Sequence, residues 1–471
     1  MSTSRALLFA TCLIAATPAT ARPAATANAG NPQAEREALD LAKKLISIRS
    51  VAGPGNRTLD AHRAIADALI AGGWSANDVE IVPLNDTGFI IATWKGSDPA
   101  LKPLVISGHL DVVEADPKDW ERDPFTPIIE NGFLFGRGSS DMKFDGAVAT
   151  SALVDMRRKG FRPRRTIVLE FSGDEETSMA TTRALVTKLS HAELVINIDG
   201  GGGTLDEKTG KPLYWSWDGA EKTYNDYTLE VTNPGGHSSA PRPENAIVQL
   251  ATALKNIGEY QFPVEQNPLT KAYFAQASQF ETDPRLAAAM RAFAANPGDR
   301  DAVATLRANP AYVGKTGTTC VATMVNAGHA QNALPQRARA NINCRIFPGH
   351  SREDIRTVLE QVAAVPQLTV RDATGEDSVA SPASPMRPDL VAAMTRAMHA
   401  IHPGLPIIPT QASGASDSMF FRAIGVPSYG ASPTFIKDSD QFAHGLNERV
   451  PLSNLAPSIR YYLSLFTDLS K

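Results

Sequence analysis

Cysteine is almost absent from this 471-residue chain: there are three, Cys12, Cys320 and Cys344. That is too few for a disulfide-built scaffold, and none lies in a metal-binding spacing. Charge of one sign is missing as well. A formal net charge of −4 gives no reason to expect nucleic acid or an anionic membrane as a partner. No apolar run beyond the N-terminus is long enough to span a bilayer. Several enzyme signatures are also missing, among them HExxH and the G-x-S-x-G elbow. Gly314-Lys315-Thr316 has Asn309 where a phosphate-binding loop needs its first glycine, and Gly200 to Gly203 runs into Thr204-Leu205 rather than a dinucleotide fingerprint. What remains, 43% apolar and 20% charged, fits a soluble globular protein.

The N-terminus reads as a targeting segment. Arg5 is a short basic region, residues 6–16 are an apolar core, and Ala19-Thr20-Ala21 offers a cleavage site. The expectation is export across a bacterial inner membrane with cleavage near Ala21, to the periplasm or beyond, leaving no membrane span. A lipoprotein reading through Cys12 is weak, because Phe9-Ala10-Thr11 is a poor lipobox. Residues 22–32 read as a disordered tail. Cleavage leaves Cys320 and Cys344, which could pair; the favoured reading is two small core residues on neighbouring strands.

The length argues for two domains. Helical periodicity covers 35–48 and 59–70, stopping at Gly72-Gly73. Short β-rich runs follow at 79–84, 89–94, 104–107, 166–171 and 194–198, with helices expected at 147–159 and 181–189. This alternation predicts an α/β domain with a largely parallel sheet covered on both faces. A second unit is inserted: strand 224–231, helix 244–257, strands 318–325 and 337–347, helix 353–364 and strand 368–372. That is a two-layer α+β pattern, interrupted at 262–312 by an Ala-rich helical stretch. The expected division is a first domain over 33–222 and 377–471 with the insert at 223–376.

In open α/β sheets, binding groups collect beyond the C-terminal ends of strands. His109 and Asp111 follow one such strand, Glu175-Glu176 a second, and Asp199 a third. Asp141 sits in a turn before a helix, and His444 in a Gly-containing turn. Taken singly, a His-x-Asp, a Glu-Glu pair or an Asp before glycines is an ordinary surface or turn feature. Jointly, four oxygen ligands, two imidazoles and one spare carboxylate are what a two-metal hydrolytic site requires.

The motifs ISGHLDVV (106–113), GRGSSDMK (136–143), DEE (174–176), NIDGG (197–201) and AHGLNE (443–448) resemble those of the co-catalytic zinc carboxypeptidase and aminoacylase family, nearest its carboxypeptidase S-like branch. Carboxypeptidase G and succinyl-diaminopimelate desuccinylase also belong to that family. The resemblance implies an α/β catalytic domain with a mixed, mostly parallel sheet, plus a smaller α+β lid that can serve as a dimer contact. It implies two Zn²⁺ ions, with Co²⁺ or Mn²⁺ as substitutes. Asp141 would bridge them, His109 and Asp199 would complete one, and Glu176 and His444 the other. Asp111 would orient His109, and Glu175 would be the general base. His237, in Pro234-Gly235-Gly236-His237, would stabilise the oxyanion; a plain exposed turn is the alternative. Asn332, Arg345 and the loop holding Gly414 and Asp417 match segments near the substrate carboxylate, although Arg345 could equally make a structural ion pair.

The implied activity is hydrolysis of an amide or peptide bond by a carboxypeptidase or an N-acyl-amino-acid hydrolase. A dipeptidase is the rival, and a periplasmic binding protein on the same scaffold the rival of another class; an intact Glu175 argues against the latter. His62, His191, His329, His350, His399 and His402 fit no ligand position. Two departures stand out. Thr177-Ser178-Met179 occupies a place where many relatives carry glycines, and the insertion at 262–312 could cap the cleft or replace a dimer contact.

Overall fold

The structure, a computed structural model, describes residues 31–471. The targeting segment and all but the end of the expected tail lie outside the described residues. The tail's last residues are not loose: the first helix is Pro32–Ile46, with the Asn31 side chain capping its N-terminus and proline in its first turn. Ala34, Ala38, Leu41, Ala42 and Leu45 supply its buried stripe.

The large sheet has ten strands. In spatial order they run Val79–Leu84, Thr87–Trp94, Ile167–Ser172, Leu104–His109, Leu194–Asn197, Ser428–Gly430, Pro212–Glu221, Gly202–Leu205 and Phe435–Ile436, with Ile407–Ala412 also paired to Pro212–Glu221. Its centre is parallel, since Leu104–His109 lies between Ile167–Ser172 and Leu194–Asn197 with all three pointing the same way. Both faces are covered. Leu104 and Ile106 join one apolar cluster while Val105 between them joins another, so successive side chains enter opposite layers. On one side pack Pro32–Ile46, Lys143–Arg158 and Leu455–Ser470; on the other lie Ala180–Leu189 and Ser418–Ala423.

A second, antiparallel sheet orders Thr319–Ala327, Arg337–Ile346, Thr223–Thr232 and Leu368–Asp372. Burial in Thr223–Thr232 alternates residue by residue. Tyr227, Leu229 and Val231 meet helices Ala246–Glu259 and Arg352–Ala363 in a core of their own. Cys320 and Cys344 lie directly opposite each other on paired strands, 4.1 Å apart at Cα, and form a disulfide. The reading of two separate core residues is therefore corrected: the strands are neighbours, and their register makes the cysteines partners.

The Ala-rich stretch forms helices Pro268–Ala277, Pro284–Ala295, Arg300–Arg307 and Pro310–Val313. Their core, including Phe274, Met290, Phe293 and Leu306, closes on Ile408 of the large sheet. Lys315 Nζ donates to Thr410 Oγ1 (3.0 Å) and the Gln411 carbonyl (2.7 Å), and the Asn267 amide to Gln411 Oε1 (2.6 Å). The insertion thus packs on the large sheet. Strand Pro212–Glu221 and the elements from Pro388 onwards lie in segments expected in the first domain but not assigned as individual elements from sequence; they complete that sheet and its helical layer. Among the described residues, no helix is long and apolar enough to cross a membrane.

Candidate metal centre

The three parallel strands deliver their next residues to one edge. His109 is the last residue of its strand and is 1% exposed. Its Nε2 lies 3.0 Å from Asp141 Oδ1 and 3.7 Å from Asp199 Oδ2. Across Asp141, the second carboxylate oxygen lies 3.1 Å from His444 Nε2, which is also 3.0 Å from Glu176 Oε1. Asp141 therefore stands between two imidazoles, one oxygen to each. Ligand atoms of His109, Asp141 and Glu176 all lie within 4.8 Å of one another.

Backbone contacts fix the loops that carry these groups. The Asp111 carboxylate accepts the Glu175 and Glu176 amides (3.1 and 3.0 Å). The Asp111 carbonyl is 3.1 Å from His109 Nδ1, closer than its carboxylate at 3.4 Å. Asp111 thus joins two loops besides facing the ring. Glu448 does the same for Asp141. It is fully buried, accepts the Gly138, Ser140 and Asp141 amides (3.1, 2.8 and 3.1 Å) and pairs with Arg137 at 2.6 Å. Its role was not singled out from sequence, although it closes the motif that contains His444. An acid four residues after a candidate ligand, at the end of the same motif, was the available signal. The departure at Thr177-Ser178-Met179 also resolves. Met179 takes a left-handed φ of 50°, which glycine would adopt without strain. Asp174 holds this turn by accepting the Ala180 and Thr181 amides (2.8 and 3.0 Å).

The electrostatics follow from crowding acids at a partly buried edge. Burial pushes the Glu175 carboxyl well above its ordinary range; His109 opposes this, while Asp199, Asp417 and Glu176 add to it. Hydrogen bonds donated to the Asp141 and Glu176 carboxylates raise His444 to about 10. Among the described residues, the ion-pair partners of Asp141, Glu176 and Asp199 are His109 and His444, with no Lys or Arg. Three convergent carboxylates balanced by two imidazoles are a donor set fitted to divalent cations.

The other expected residues are distributed differently. Arg345 reaches the cleft: it lies opposite Tyr224 across paired strands, with its guanidinium 4.7 Å from that ring's centre. The two-residue pleat turns it away from the buried Cys344 and Ile346. It lines a cavity of about 440 Å³ together with Glu175, Glu176, Tyr224, Asp226 and Met419. His237 and Asn332 come together on a small exposed ribbon, where Gly236–His237 pairs with Ala333–Leu334 and the Ser238 amide donates to the Asn332 carbonyl (3.0 Å). Neither lines that cavity. Gly414 is on an exposed loop. Asp417 is buried, 2% exposed; its carboxylate accepts from Ser172 Oγ (2.7 Å) and from Thr182, so it sits behind the cleft wall.

Residues 105–468 match the peptidase family M20/M25/M40. The chain belongs to this family. It is accordingly a hydrolase of peptide or N-acyl amide bonds. It is 26% identical to the N-fatty-acyl-amino acid synthase/hydrolase PM20D1 of Homo sapiens, over 80% of this chain and 76% of the relative. A probable carboxypeptidase S-like 2 of Dictyostelium discoideum is also 26% identical, over 81% and 74%. In structure it resembles an M20 family metallo-carboxypeptidase, Sso-CP2, from Sulfolobus solfataricus, with a TM-score of 0.70 and 19% identity, covering 92% of this chain and 99% of that one.

Proposed function

We propose that the chain is an exported two-zinc hydrolase that releases an amino acid from a peptide or an N-acyl amino acid. The observation that carries this reading is Asp141, each of whose oxygens faces a different histidine at 3.0 and 3.1 Å. Asp141 would be shared by two ions, with His109 and Asp199 on one and Glu176 and His444 on the other. When bound, the pair supplies positive charge that polarises the scissile carbonyl and acidifies water. Glu175 takes the proton from the attacking water and returns it to the leaving nitrogen, a task suited to a carboxyl raised by burial. Asp111 and Glu448 hold the loops in register.

Arg345, stacked on Tyr224 and near Asp226 but in no direct ion pair among the described residues, grips the substrate carboxylate. His237 donates to the developing oxyanion. From its exposed ribbon it reaches the reacting carbonyl when the small sheet closes over the large one as a lid. Thr319–Ala327, an edge strand exposing Val321, Met324 and Val325, would pair with a second copy and make a homodimer. Dialysis of the mature protein against a chelator, with zinc then restored, tests the core of this reading. Zinc-dependent release of amino acids from dipeptides, longer peptides or N-acyl amino acids is expected, and no cleavage of any of them would overturn it. Glu175→Gln should bind zinc normally yet lose about 10²–10⁴-fold in kcat; a full rate would remove Glu175 from its role.

A further inference from the structure

The candidate metal centre opens onto two cavities, both rich in acids, of which only one contains a cation. The one described above is lined by Glu175, Glu176, Asp226 and Asp377, with Arg345 as its cation. The second, about 290 Å³, is lined by Asp141 and Asp199 and continues past Asp145, Ser432, Thr434 and Gln441 over the turn at 200–203. Among the described residues, no Lys, Arg or His lines it. The glycine turn is packed from behind: a Cβ at Gly201, whose φ is +73°, would sit 2.7 Å from the Ser216 carbonyl. A side chain at Gly201 is therefore excluded, and the apolar part of the lining comes from Met142, Ile198, Ile436 and Ala443.

Asp145 is 5% exposed and lies in the first turn of Lys143–Arg158. Its carboxylate accepts from Ser432 Oγ at 2.7 Å and Thr434 Oγ1 at 3.1 Å. No Lys, Arg or His among the described residues pairs with it. A carboxylate offers about four acceptor positions, so capacity remains for another donor. A buried acid with hydroxyl partners and no counter-ion is suited to a cationic ligand group. An apolar chain laid against Asp145, Ser432 and Thr434 would leave their polar atoms poorly solvated.

An amide bond held at the centre must place one half of the substrate in each cavity. Arg345 selects the half that carries the carboxylate. We infer that the cavity beside Asp145 receives the other half as an aminoacyl residue whose free α-ammonium binds Asp145, making the substrate class short peptides with an unblocked N-terminus rather than fatty-acyl amino acids. This rests on the two-zinc hydrolase reading above, with Asp145 as a substrate-binding residue that sets specificity.

The test compares leucyl-phenylalanine, its N-acetyl derivative and N-dodecanoyl-phenylalanine on the zinc-loaded enzyme. All three keep the same half for Arg345. The free dipeptide should exceed both blocked compounds in kcat/KM by about 10-fold or more, as expected for one charge-assisted hydrogen bond. Asp145→Asn should erase most of that advantage, bringing the ratio of kcat/KM for the free dipeptide to that for N-acetyl-leucyl-phenylalanine close to one, since the charge-assisted bond to the ammonium is lost. A blocked substrate cleaved as fast as the free dipeptide by the wild-type enzyme overturns the inference without need of any variant. So does an Asp145→Asn variant that slows all three alike. If none is cleaved, the hydrolase reading itself fails. Equilibrium binding of the same three compounds then decides the pocket separately, with tighter binding of the free dipeptide sustaining it and equal binding overturning it.

Discussion

Two regions bear the candidate chemistry, and they are built in opposite ways. At the edge of the large sheet the loops of four candidate ligands are tied in pairs by buried carboxylates: Asp111 joins the His109 loop to Glu175-Glu176, and Glu448 joins the Asp141 turn to the His444 loop. At the ribbon beside the small sheet, His237 is exposed, and its recorded side-chain partner is Ser239, two residues away. The first arrangement fixes geometry before any substrate arrives. The second leaves a side chain whose position must be completed by something else, which is what a residue acting on a transient oxyanion can tolerate. Damage to the first region should therefore appear in stability and metal affinity, and damage to the second in rate alone.

The largest loss is expected from Glu448→Ala. It leaves the Arg137 guanidinium, 3% exposed, without its acid partner and frees three amides around Asp141. Breaking a buried pair in this way costs about 3–5 kcal/mol, and loosening a ligand's support lowers metal affinity by about 10–100-fold. Urea unfolding and zinc titration measure the two effects. Unchanged zinc affinity would show that the Asp141 turn does not depend on its brace.

Removing the disulfide by changing Cys320 and Cys344 together to alanine probes the small sheet beside that ribbon. The cysteines are 24 residues apart, and the chain-entropy estimate for such a loop is about 3 kcal/mol. The loss should fall on the small sheet, with zinc affinity unaltered. A parallel fall in zinc affinity would mean that the two regions are not energetically separate.

The sequence disclosed the large-sheet edge more fully than the ribbon, for a physical reason. His109, Glu175-Glu176 and Asp199 each follow a run of β-branched and apolar residues, so the strand ends, and with them the convergence of the ligands, follow from local patterning and the direction of parallel strands. Asp141 and His444 needed motif resemblance, since turns encode no direction. Glu448 and Asp145 escaped because their importance lies in burial: an acid looks alike in sequence whether it faces water or a ring of amides. The strand Pro212–Glu221 escaped because its central position depends on elements more than 190 residues later. Cys320 and Cys344 were placed on neighbouring strands, but their pairing is a matter of register, and register is set by the whole sheet.

Acid sensitivity should also belong to the large sheet. His62 is fully buried with Nε2 3.3 Å from the Ser172 carbonyl, and burial lowers its pKa to about 4. The unfolded chain takes up this proton near 6.5, the folded chain only near 4. The folded state therefore binds fewer protons between these values. Its stability is complete above about pH 6.5 and falls as pH drops toward 4, by up to about 3 kcal/mol. His62→Asn keeps a donor for Ser172 and should flatten that slope in urea unfolding from pH 7 to pH 4. An unchanged slope would move the acid sensitivity to other groups.

The smallest effect on stability, with a large one on rate, is expected from His237→Ala. Its side chain is exposed, so unfolding free energy should stay within about 0.5 kcal/mol of the original, and zinc affinity should not move. Loss of one oxyanion donor nonetheless lowers kcat by about 10²–10³-fold. KM should change little, because the hydrogen bond forms as charge develops rather than when substrate binds. Steady-state kinetics beside zinc titration separates the outcomes. A rise in KM alone would make His237 a ground-state contact, and an unchanged kcat would leave it a plain turn residue. A fall in kcat with zinc affinity and stability intact would show that a side chain on the ribbon acts at a centre built on the other sheet, and the two would then have to meet during turnover.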